Sequence, residues 1–119
     1  MAQSVQFQMI ERNNSKLKGH GMLAHAEGPG GEAAVSVDIV LDNIFIPEAE
    51  YRAGVYDTPC SDRTTKAARF ELNAVKGGRS TTVIFGQTIQ SLEAGNYSVS
   101  VHSEKDPEEV LCCGALTPR

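Results

Sequence analysis

Hydrophobic residues recur at every second position through most of this chain. Val5, Phe7 and Met9 alternate with Gln6 and Gln8, and "NNSK" follows as a turn. A glycine-rich strand, "KLKGHGMLAHAEG", runs into "GPGG", a strong loop signal. Val35, Val37, Ile39 and Leu41 then share one face, with Ser36 and Asp38 on the other. That is the pattern of a half-buried strand. After the loop "IPEAE" come the short strand "YRAGVYD" and the turn-rich "TPCSDRTT". Ala68, Phe70, Leu72 and Ala74 are predicted to share one strand face, and "KGGRS" turns the chain. "TTVIFG" is a strand, "QTIQSLEAG" connects onward with a short helical turn at Gln87–Leu92, and "NYSVSVH" and "VLCCGAL" are the last two strands. Eight short strands separated by turns predict an all-β fold, an eight-stranded β-sandwich or barrel. No heptad, internal repeat or low-complexity segment interrupts the pattern.

Composition narrows the function classes. The 119 residues form one domain, 1–119, long enough to bury a core. The net charge of -4 gives no electrostatic support for nucleic-acid or anionic-membrane binding. No apolar run approaches the roughly 20 residues of a membrane span. The opening "MAQSVQFQMIER" lacks the basic and apolar regions of a signal peptide, so the expectation is a cytoplasmic chain or one whose leader has been removed. Three cysteines leave one odd thiol if two pair, and all three stay reduced in a cytoplasmic setting. Their spacing matches neither a zinc finger nor a CxxC redox motif.

The segment "AGNYSVSVHSEKDPEEVLCCGAL" resembles the end of copper/zinc superoxide dismutase-like domains, where a strand ends in Val-His and a final strand carries Cys-Gly. Upstream, "VSVDIVLDNIFIPEAEYRAGVYDTPC" looks like the family's strand, loop, second strand and cysteine. "RFELNAVKGGRSTTVIFGQTIQSLEAGNY" is similar to a bacterial branch with a shortened middle loop. The resemblance spans about Leu17 to Leu116. It implies an eight-stranded Greek-key barrel, in agreement with the strand count. It also implies a disulfide between Cys60 and Cys113, and with it an extracytoplasmic (periplasmic or secreted) location. Cys112 then points to the opposite face of its strand.

The same resemblance implies that most metal ligands are absent. The family carries a His-x-His pair on one strand, whose period of two puts both rings on one copper. Here Gly54 and Tyr56 stand in those places. The histidine-rich zinc loop has no counterpart, since "SDRTTKAAR" contains no histidine, and the basic residue that guides superoxide falls near Val110. Only His102 matches a copper-ligand position. One imidazole does not hold a catalytic copper. His20 and His25 are five residues apart, so a regular strand sends them to opposite faces unless a bulge at Gly21 intervenes.

The expected protein is therefore a non-catalytic superoxide dismutase-like domain without metal cofactor, acting as a binding or structural and assembly module. Exposed edges or loops would recruit a protein partner, and a homodimer would use a sheet face. One alternative is a copper- or zinc-binding protein using His102 with His20, His25 or Cys112. Another is a small-ligand carrier at a barrel mouth near Tyr51 and Tyr56, where Asp57 adds to a binding patch. The acidic run Asp106, Glu108 and Glu109 reads as a solvated loop. "KGGRS" and "GPGG" fail as phosphate loops because neither lies between a strand and a helix.

Overall fold

The computed structural model describes residues 4–12, 16–42, 50–56, 60, 69–95, 97–103 and 110–116. The chain forms β1 (Ser4–Glu11), β2 (Gly19–Glu27), β3 (Ala33–Leu41), β4 (Glu50–Tyr56), β5 (Phe70–Lys76), β6 (Arg79–Phe85), α1 (Ile89–Ala94), β7 (Ser98–His102) and β8 (Val110–Ala115). All eight strands lie where the alternation predicts them, and every neighbouring pair is antiparallel. They close a barrel in the order β1-β2-β3-β6-β5-β4-β7-β8. The helical turn starts slightly later than the sequence suggests. Thr88 caps it, its hydroxyl accepting from the Ser91 N–H, while the Ser91 hydroxyl accepts from the Thr88 N–H.

The barrel is closed unevenly. β2 and β3 pair along nine positions, but β5 and β6 share only Lys76↔Arg79, and β1 meets β8 only at Ile10↔Cys113 and Glu11↔Cys112. Two four-stranded halves, β1-β2-β3-β6 and β5-β4-β7-β8, thus join at narrow corners. At the β5–β6 corner side chains take over from the ladder. The Asn73 side-chain amide donates to Thr81 O at 2.7 Å, its backbone N–H donates to the Thr82 hydroxyl, and the Ser80 hydroxyl donates to Asn73 O. The hairpin between these strands turns at Gly77 and Gly78, with φ of 60° and 81°, a backbone that glycine adopts without steric cost.

Inward-facing residues fill the barrel. Phe7, Met9, Leu23, Val35, Val37, Ile39, Val55, Val99 and Val101 are all buried, and α1 adds Ile89 and Leu92 to the core. The β5 reading needs one correction. Phe70 and Leu72 do point inward, but Tyr51 pairs with Val75 and Ala53 with Leu72, so two residues of β5 face one of β4. This bulge shifts the alternation, and Val75 rather than Ala74 takes the next core position. Ala68 lies outside the described residues.

Candidate functional site

β7 is buried along both faces, as is the neighbouring β8 up to Gly114. Val99 and Val101 project into the core, whereas Ser98, Ser100 and His102 lie on the outer side of the barrel and are nevertheless buried, His102 to 3% exposure. These three make up most of the buried polar side chains among the described residues, the other being Ser80. A covered polar seam on an outer face is the unusual chemistry of this fold, because buried polar groups cost free energy unless paired.

Strand register shows what surrounds the seam. Directly opposed residues share a face. Three rows therefore cross it: Arg52, His102 and Val110; Gly54, Ser100 and Cys113; Tyr56, Ser98 and Ala115. Gly54 and Tyr56 thus lie on the same face as His102. The Tyr56 ring leans along the sheet to the His102 imidazole, with centroids 5.3 Å apart and the planes tilted by 48°. β8 bulges at Leu111, beside His102, because Val101 pairs with Cys112 but His102 with Val110.

The middle row carries the disulfide. Cys60 and Cys113 are bonded, with Cα atoms 6.0 Å apart and a sequence separation of 53. The bond holds Cys60 against the outer face. Arg12 secures it from the other side, its guanidinium donating to Cys60 O at 3.1 Å. The Ser100 hydroxyl donates to Cys113 Sγ at 3.5 Å. Cys112, one residue earlier, faces the opposite way into the core and is a free thiol. Burial pushes its pKa up from 9.0 to about 12, so it stays protonated and unreactive.

The remaining candidates do not converge. The β2 ladder runs without a register break through Gly21, so His20 and His25 do fall on opposite faces. Both are exposed; His20 Nδ1 meets Asp42 Oδ1 at 3.1 Å. Cys112 lies on the opposite face of the sheet from His102. Among the described residues no group of three or more His, Cys, Asp or Glu is placed to hold a metal ion. Tyr51 and Tyr56 are likewise separated: Tyr51 packs against the core and Tyr56 lies on the outer face. Asp57, the acidic run 106–109 and the loop 61–68 lie outside the described residues.

Sequence reasoning missed a groove of about 390 Å³ on the outer face of the other half. Gln6, Met22, Asp38 and Thr81 form one cross-strand row, and His20, Val40 and Arg79 form the next. The Thr81 hydroxyl donates to Asp38 at 2.7 Å. Ser36 and Asp38, alternating with Val35, Val37 and Ile39, mark this face in the sequence, but not the strand neighbours that make it concave. No protein-family model, curated protein or solved structure matches the chain. Among the described residues no helix is long and apolar enough to cross a membrane.

Proposed function

We propose that this protein is a superoxide dismutase-like Greek-key barrel that works as a non-catalytic binding and assembly module. The strand order supports the Greek-key reading: β4, β5 and β6 are consecutive neighbours, and the chain crosses over so that β3 lies beside β6 and β4 beside β7. The carrying observation is the contact of Tyr56 with His102. An aromatic ring packs against the imidazole where the family has a second ligand, so the seam reads as packed structure rather than as a coordination sphere. The disulfide is compatible with an oxidising compartment, and we place the protein outside the cytoplasm. Recognition then belongs to the open half, whose outer face carries the groove.

Copper and zinc titration tests this reading. The expected result is no stoichiometric binding at submicromolar affinity and no dismutase activity. Stoichiometric binding that is abolished by His102→Ala would overturn it in favour of a metal-handling protein. The groove favours a second reading, a small-ligand carrier, at a place other than the barrel mouth near Tyr51 and Tyr56. Ligand-detected NMR with a small-molecule mixture checks it, since Arg79→Ala should remove any hit located there.

A further inference from the structure

Among the described residues, the corner between β5 and β6 leaves part of one strand without a ladder partner. Two backbone hydrogen bonds fix which way the groups of β6 point. Gly86 N–H donates to Ala33 O, and Leu41 N–H donates to Gly78 O. In an antiparallel ladder successive residues turn their N–H and C=O to alternate sides. Ser80, Thr82 and Ile84 therefore face β3, while Thr81, Val83 and Phe85 face away from it. Thr81 O is taken by the Asn73 amide. Beyond that point β5 offers β6 no ladder partner, because their pairing ends at Lys76↔Arg79. The N–H and C=O groups of Val83 and Phe85 point off this edge, and among the described residues no strand pairs with them. Their side chains are exposed as well, at 40% and 54%; the other exposed large hydrophobic among the described residues, Ile10, lies where β1 pairs with β8.

Free edges are templates for strand addition, and folded proteins commonly blunt them with charge, proline or bulges. The unpaired stretch of β1 at the other corner turns polar Ser4, Gln6 and Gln8 outward. β6 has no such protection at Val83 and Phe85. Both features of β6, unpaired backbone and alternating apolar side chains, are what an added strand requires.

We infer that the β6 edge pairs with the β6 edge of a second copy of this chain, around a two-fold axis at Ile84. That axis places Val83 opposite Phe85 of the other copy, and Phe85 opposite Val83. Each opposed pair consists of residues whose backbone groups face each other, so the pairs exchange N–H···O bonds in both directions. On the outer face each valine covers a phenylalanine, which buries the exposed apolar surface. The complementarity is intrinsic to one short sequence, as an isologous interface demands. It joins two β1-β2-β3-β6 halves into one continuous sheet. An interface of one short strand falls at the small end of protein contacts, so the dimer is weak, with a dissociation constant on the order of micromolar to millimolar.

This inference deepens the assembly reading and rests on it. Sedimentation velocity on the full chain, from about 10 μM to 1 mM, tests it. A reversible monomer–dimer equilibrium is expected. Val83→Lys should weaken association at least tenfold. Val83→Pro should do the same without disturbing the β3 ladder, because it removes only a donor that points off the edge. Circular dichroism identifies any variant that fails to fold, and the other variant then decides. With Val83→Cys and Phe85→Cys mixed under oxidation, the expected crosslink joins position 83 to position 85 between chains. A chain that stays monomeric at 1 mM, or a dimer insensitive to both Val83 variants, overturns the inference. So does a crosslink in another register. If the dimer fails while metal titration is also negative, the module reading stands and only this partner falls.

Discussion

Tyr56 and His102 touch although four residue steps of the β7 ladder separate them. Tyr56 pairs with Ser98 and His102 with Arg52, yet the two rings meet at 5.3 Å. Gly54 and Ser100 form the row between them, and two small residues leave the rings room to lean together. A ring pair of this kind contributes about 0.5–1.5 kcal/mol beyond its buried area. A double-mutant cycle of Tyr56→Ala and His102→Ala should therefore show coupling of about that size in urea unfolding. Tyr56→Phe should retain the ring contact, and additive single mutants would show that the contact contributes nothing.

The disulfide closes a 53-residue separation, worth about 4 kcal/mol in the chain-entropy account. Cys60→Ser should lower unfolding free energy by roughly that amount, within the observed range of about 2–5 kcal/mol. Reductant should destabilise the wild type and leave the variant unchanged. Non-reduced peptide mapping should find Cys60 joined to Cys113 and Cys112 free.

Cys112 predicts a pH dependence. Its thiol keeps a proton in the folded protein up to about pH 12, against an ordinary value of 9.0. Between these values the unfolded chain binds fewer protons than the folded one, so stability falls as pH rises. The contribution is complete below about pH 9 and is lost on the way to 12. The stability difference between wild type and Cys112→Ala should shrink over that window and be constant below it. Alkylation of Cys112 should proceed only as fast as the protein unfolds.

Gly21 is fixed by packing. A Cβ there would enter the Phe7 ring and lie 2.8 Å from Asp38 O, a backbone atom of the neighbouring strand. Gly21→Ala should cost about 1–3 kcal/mol through overpacking. Phe7→Leu in the same chain should recover part of that loss, because the ring is the movable partner. Thermal unfolding of the three variants measures both effects.

Much of the barrel is legible in the alternation itself. Val35, Val37, Ile39 and Leu41 could bury one face only as a strand, and an odd separation is enough to put His20 and His25 on opposite faces. The same parity separates Tyr51 from Tyr56, but a patch joining them ignores it. Alternation fails at Ala74, where a bulge moves Val75 into the core. It is also silent on His102, since period two shows which face a residue takes and not what covers that face.

Local sequence determined the strands, the turns and the inward set, because side-chain period and turn chemistry act within a few residues of each other. Tertiary structure decided which strands became neighbours. It set Cys60 against Cys113 at a separation of 53, covered the outer face of β7 and stopped the β5–β6 ladder after one pair, leaving Val83 and Phe85 without a ladder partner among the described residues. Those outcomes depend on how the two halves of the barrel meet, and contacts distant along the chain leave no periodic mark on it.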